Sequence, residues 1–190
     1  MTKKIGILAL QGAVTEHLQA LNRLGVTATA VKSPADLDDL DGLIIPGGES
    51  TAIGRLIREQ GLEEPLRTFF AAGKAIFGTC AGLILCSTDP SHAPGELRLG
   101  FIDIAVERNG FGRQIDSFEA LLPFGDLPEP AEAVFIRAPY IRSVGEGVRV
   151  LTSIDGKIVA AENDRVLVTA FHPELTDDLT VFAYFLKKVG

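Results

Sequence analysis

The first eighty residues alternate short, continuous aliphatic runs with segments of helical period, and few architectures accept that pattern. Ile5 to Leu10 reads as a buried strand. Residues 13–24 follow as a helix, because Leu18, Leu21 and Leu24 recur at three-residue spacing, and Gly25 stands where a helix C-terminus is usually closed. Thr27 to Val31 is the next strand and Leu43 to Ile45 the third. Ala52 to Gln60 and Leu66 to Ala72 are further helices, and Ala75 to Phe77 is a fourth strand. Strands that are apolar throughout, joined by helices, belong to a parallel sheet covered on both faces. Beyond Leu99 the pattern changes: Phe101 to Glu107, Ala133 to Arg137, Val148 to Ile154, Lys157 to Glu162 and Val166 to Phe171 are strand-like, with Asp155-Gly156 and Asn163-Asp164 as hairpin turns. Leu179 to Val189 closes the chain as an apolar helix. The expectation is a single α/β domain over residues 1–190, a flavodoxin-like three-layer fold with a mixed, largely parallel central sheet and helices on both faces. The Ser-, Pro- and Gly-rich stretch from Ser87 to Glu96 is expected to be a mobile surface loop.

Composition narrows the partners. With 46% hydrophobic and 23% charged residues the chain is globular, and a net charge of -7 without any basic run makes a nucleic-acid backbone or an anionic membrane a poor partner. No apolar run approaches the ~20 residues a bilayer requires, and no signal-like stretch opens the sequence, so the expected location is the cytoplasm.

In open α/β sheets ligands gather at the carboxyl ends of strands, so the residues that follow each apolar run matter most. These are Gln11-Gly12, Pro46 to Thr51, Gly78-Thr79-Cys80-Ala81-Gly82 and His172-Pro173-Glu174. The Gly78-x-Cys80-x-Gly82 spacing is that of a nucleophile elbow, which places a thiol at a helix start where amide dipoles favour thiolate. It also fits a buried structural cysteine beside two chance glycines. Cys86 serves as a contrast: it follows Leu83 to Leu85 in the same apolar helix, ~9 Å along the axis from Cys80, too far for a disulfide and best read as core. Of the three histidines, His92 lies in the Ser-Pro loop and reads as solvated, while His17 is either a surface group or a support behind the site. His172 alone ends an apolar strand, and with an extended chain through Pro173 the Glu174 carboxylate would share its side and orient the imidazole. Gly47-Gly48 would let backbone approach a substrate, and the Gly48 and Ala81 N–H groups together make an oxyanion hole. The same glycines also fit a tight turn, with Ser50 or Thr51 capping the helix that follows.

These segments resemble the class I glutamine amidotransferases with a Cys-His-Glu triad, and more narrowly the glutaminase subunits of two-component pyridoxal 5'-phosphate synthases. The resemblance also rests on Glu16-His17, Glu107-Arg108-Asn109, Phe111-Gly112-Arg113-Gln114, Ser117-Phe118-Glu119 and Phe135 to Pro139, and it runs from the first strand to the last helix. It implies Cys80 as nucleophile, His172 as base and Glu174 as its orienting acid. Gly48, Glu49, Ser50, Arg108, Ile136 and Arg137 would bind L-glutamine, and Gln11 would lie near the oxyanion loop and the partner contact. No cofactor or metal is implied. Ammonia would pass, within a hetero-oligomer, to a synthase subunit that builds pyridoxal 5'-phosphate. Gly110 departs from the resemblance, replacing a small side chain and loosening the local loop. Two rivals stand beside this reading: the glutaminase of another amidotransferase, such as that of imidazole glycerol phosphate synthesis, and a non-enzymatic redox sensor on the same scaffold.

Overall fold

The computed structural model describes residues 2–89, 95–111 and 117–190. His92, with the rest of residues 90–94 in the Ser87 to Glu96 stretch, and the Gly112-Arg113-Gln114 segment lie outside the described residues.

The amino-terminal half is built as the aliphatic runs require. Strands β1 (Lys4–Leu8), β2 (Thr27–Val31), β3 (Gly42–Ile45) and β4 (Ala75–Thr79) alternate with helices α1 (Val14–Arg23), α2 (Ser50–Glu59) and α3 (Glu63–Ala71). Helix α4 (Ala81–Cys86) follows β4 after a single residue. The second half supplies β5 (Ile104–Glu107), β6 (Ser117–Leu122), β7 (Ala131–Ile136), β8 (Tyr140–Val144), β9 (Arg149–Ile154), β10 (Lys157–Glu162) and β11 (Val166–Thr169), before α5 (Thr180–Leu186).

Nine of these strands form one sheet in the order β2-β1-β3-β4-β11-β10-β8-β5, with β9 on β10. Pairings from β2 to β11 are parallel, and those beyond β11 are antiparallel. This is the expected mixed, mostly parallel α/β architecture. Strands β3, β4 and β11 are buried at every residue, so helices cover both of their faces. Gly25 closes α1 with φ +73°, and Asp155-Gly156 turns β9 into β10 with both φ positive, as the hairpin spacing predicts.

The structure adds two strands that the sequence reading leaves out. β6 pairs antiparallel with β7 in a separate two-stranded sheet, and β8 joins β10 to β5. The small sheet is fastened by aromatic rings: Phe135 stacks on Phe118 at 4.5 Å and meets Phe171 edge-on at 5.6 Å. The described ends of the Ser87 to Glu96 stretch are anchored, while its middle, where a mobile surface loop is expected, lies outside the described residues. Ser87 and Asp89 are buried, and the Val106 amide donates to Asp89 Oδ2 at 2.7 Å. No helix among the described residues is long and apolar enough to cross a membrane.

Candidate active site

Four neighbouring parallel strands, β1, β3, β4 and β11, end at the same edge of the sheet and deliver Gln11, Gly47 to Glu49, Cys80 and His172 to one place. A cleft of about 700 Å³ opens there, a size suited to a small metabolite. Cys80, Ala81, His172, Gly48, Glu49, Ser50, Arg108, Ile136 and Arg137 all line it. Glu174 stands behind His172, and Gln11 stands behind the Gly48-Glu49 loop.

Cys80 has φ +51° and ψ -104°, a strained conformation for a residue with a Cβ, and is only 8% exposed. The flanking glycines are steric requirements. A Cβ on Gly82 would lie 1.9 Å from the Ile45 carbonyl oxygen of β3, and one on Gly78 would lie 2.6 Å from the Gly82 carbonyl oxygen. This excludes the reading of chance glycines. Ala81 is the first residue of α4, so its N–H has no acceptor within the helix. Cys86 is fully buried and burial pushes its thiol pKa up, which makes it an inert core residue; both cysteines are free thiols.

His172 Nδ1 lies 2.6 Å from Glu174 Oε1. The reason differs from the one expected, because the chain does not stay extended: Pro173–Leu175 is a 3-10 turn with His172 at its N-cap, and the turn folds Glu174 back onto the ring. Burial works against a charge on His172, but hydrogen bonds with Cys80 and Glu174, and the charges of both, outweigh it and raise the pKa to about 10. Across the neutral range His172 is therefore imidazolium. Burial also opposes ionisation of Glu174, yet the hydrogen bond from His172 and the positive charge nearby hold its carboxyl below the ordinary value. Gly47 packs directly on the pair: a Cβ there would lie 2.6 Å from His172 Cε1 and 3.3 Å from the Cys80 Cβ.

The opposite wall is electrostatic. Glu49, rather than Ser50 or Thr51, caps α2, accepting from the Thr51 amide at 3.1 Å and the Ala52 amide at 2.7 Å. The Glu49 amide in turn donates to Gln11 Oε1 at 2.7 Å, so Gln11 does adjoin the loop. Arg108 is not held out alone for a ligand. Its Nη1 donates to Glu96 Oε1 at 2.9 Å, and its Nη2 meets the Ser50 hydroxyl and the Thr51 hydroxyl. Glu96 thus holds a residue of the site wall in place, although the sequence reading gives its loop no function. Only the folded contact reveals it. Asn109 and Arg137 both adopt positive φ, at +51° and +46°, as Cys80 does, so three strained residues lie around one cleft. His17, left open by the sequence, is fully buried with its Nε2 3.7 Å from Glu174 Oε2.

A cysteine on a strand-to-helix elbow, backed by a His-Glu pair at the carboxyl edge of such a sheet, is the arrangement that the resemblance to class I glutamine amidotransferases implies. Residues 7–190 match the SNO glutamine amidotransferase family, and the chain belongs to that family. It is 52% identical over 187 residues to "Pyridoxal 5'-phosphate synthase subunit PdxT" of Carboxydothermus hydrogenoformans, covering 98% of this chain and 97% of that protein. A protein of the same name from Oceanobacillus iheyensis is 54% identical over 187 residues, covering 98% and 94%. A solved structure described as "Crystal structure of glutamine amidotransferase" superposes with TM-score 0.93 at 46% identity, covering 98% of each chain. The structure of PurLQS from Thermotoga maritima shares the fold alone, with TM-score 0.69 at 17% identity over the full length of both chains.

Proposed function

We propose that this chain is the glutaminase subunit of a pyridoxal 5'-phosphate synthase, with Cys80, His172 and Glu174 as its catalytic triad. The observation that carries the reading is the 2.6 Å contact of His172 Nδ1 with Glu174 Oε1, in a cleft that Cys80 and His172 line together. An imidazolium at His172 pairs with the thiolate form of Cys80, the form that attacks. The thiolate attacks the side-chain carbonyl of L-glutamine, and the Gly48 and Ala81 N–H groups receive the developing oxyanion. His172 then gives its proton to the departing amine, which leaves as ammonia while the γ-glutamyl thioester forms. Water, deprotonated by His172, attacks the thioester and releases glutamate, and the thiolate-imidazolium pair is restored.

Glutamine recognition falls to the electrostatic wall. Arg108 Nη2 contacts hydroxyls, which a substrate α-carboxylate displaces by its charge, while Glu96 keeps Nη1 and fixes the guanidinium plane. Arg137, with Ile136, approaches from β7, and Glu49 faces the α-ammonium. Burial opposes the Glu49 charge, but the Ala52 and Thr51 amides and Arg108 outweigh it and keep its carboxyl below the usual range. The ammonia passes to a synthase subunit docked in a hetero-oligomer in the cytoplasm, with Gln11 at the contact.

A redox sensor would need the reactive thiol but not a His-Glu pair that moves protons, which counts against that rival. Glutamine hydrolysis by the purified chain, alone and with a pyridoxal 5'-phosphate synthase subunit, tests the proposal. Production of glutamate that requires Cys80 and is coupled to the synthase supports it; hydrolysis indifferent to Cys80 overturns it.

A further inference from the structure

Glu174 uses one carboxylate oxygen on His172 and leaves the other without a hydrogen-bond partner among the described residues, although both are buried. A buried carboxylate oxygen left in that state is destabilising, and it leaves the group free to turn about its last torsion. The atom facing it is His17 Nε2, 3.7 Å away, which also lacks a partner. The two are a few tenths of an ångström short of a hydrogen bond. His17 projects from α1, and its ring is set edge-on against Phe182 of α5 at 5.6 Å and 74°, so packing fixes the direction in which Nε2 points.

We propose that His17 is a positioning residue of the glutaminase site, a neutral imidazole whose Nε2–H donates to Glu174 Oε2 and so holds Oε1 on His172. The inference rests on the triad reading. Burial, the dominant influence, lowers the His17 pKa; Glu174 and Glu16 pull the other way, and the His172 charge reinforces burial. Those are the charged groups that face it: Glu16 on its own helix, Glu174 on the 3-10 turn and His172 beyond, with apolar Phe182 on α5. A neutral donor satisfies the carboxylate without taking its charge from His172. An imidazolium there would compete with His172 for it.

The test compares His17→Phe, which keeps the ring against Phe182, with His17→Gln, whose side-chain amide nitrogen can reach the place of Nε2. Both are assayed for glutamine hydrolysis with saturating synthase. The expected result for His17→Phe is a fall in kcat of about tenfold or more with KM within about twofold, and an acid limb of the kcat profile moved up by about half a pH unit, because an unsupported Glu174 protonates more readily. His17→Gln is expected to recover most of the rate. A wild-type pH profile in His17→Phe, or equal losses in the two variants, would overturn the proposal. Long-range 1H–15N spectra of the unmutated chain give a measure that survives any failure of the variants to fold. The His17 ring is expected to be neutral with its proton on Nε2 at neutral pH, and a proton on Nδ1 or a charged ring would overturn the proposal. Failure of the triad reading looks different: Glu174→Gln or His172→Asn would then turn over at the wild-type rate.

Discussion

Two cysteines six positions apart on the same elbow and helix have opposite fates, and the difference is one of surroundings. Cys80 faces the cleft and His172, whereas Cys86 is enclosed by the core. Cys80→Ala is expected to abolish glutamine hydrolysis while moving the denaturation midpoint little. Cys86→Ala is expected to keep most activity and to lose about 1 kcal/mol of stability, as a small core truncation does. Equal effects on both measurements would mean that the nucleophile is misassigned. The histidine makes a prediction in pH. His172→Asn is expected to lower turnover by orders of magnitude, with Glu174→Gln intermediate because it keeps the shape and loses the charge. Since the folded His172 pKa lies above its ordinary 6.5, at about 10, the stability it contributes is fully present below 6.5 and is lost as pH rises through about 10. Denaturation at a series of pH values should therefore show the gap between wild type and His172→Asn closing on the alkaline side. A gap that widens there would contradict the imidazolium assignment. At this scale the sequence identifies residues that directly follow apolar strands, which is why Cys80 and His172 are legible. It does not reveal Glu96, whose role depends on meeting Arg108 across the fold.

The elements are legible in proportion to how completely each buries itself. β1, β3, β4 and β11 are continuous apolar runs because both of their faces are covered, and their positions follow from the sequence to within a few residues. β6, with the sequence SFEALL, carries residues of helical preference and alternates between exposed and half-buried up to its one buried residue, Leu122, so its strand state comes from pairing with β7. β8 follows Pro139 with Arg142 and Ser143 exposed, and it too is a strand only because neighbours on both sides bond to it. Gly110, taken from the sequence as a matter of loop stiffness, instead makes room for a ring: a Cβ there would lie 2.0 Å from Tyr140 Cδ1. The elbow glycines allow a sharper expectation, since what a side chain would meet at Gly82 is backbone. Gly82→Ala must push α4 away from β3, and we expect a loss of about 2 kcal/mol or more, with activity falling as Cys80 moves. Urea denaturation and glutamine hydrolysis of the same preparation check both halves. Unchanged stability would show that the β3–α4 approach tolerates a methyl group.

At the scale of the whole molecule, the site is assembled from the ends of separate strands, and in the loop proposed to hold the oxyanion Gly48 and Glu49 are exposed. The Gly47-Gly48 turn is held from outside by Gln11, which is exposed: the Glu49 amide donates to its side chain, and a Cβ on Gly48 would lie 2.8 Å from Gln11 Oε1. The loop and the Gln11 side chain therefore take up their positions together. Gly12, at φ +94°, approaches so closely that a Cβ would lie 1.8 Å from the Gly47 carbonyl oxygen, which links the two turns a second time. A partner that covers this face can reset the loop by repositioning one exposed side chain, and Gly48, at φ +146°, offers little resistance to a change of backbone conformation. The isolated chain is accordingly expected to be a slow glutaminase that its synthase partner activates. If the free protein populates the competent loop ~1% of the time, docking raises turnover by up to ~100-fold, equivalent to ~2.7 kcal/mol. Such a shift also suppresses ammonia release when no acceptor is bound. Steady-state hydrolysis by the chain alone and with saturating synthase measures the factor, and Gln11→Ala should reduce it by uncoupling the contact from the loop. A rate indifferent to the synthase would show that the oxyanion hole is already set in the free chain.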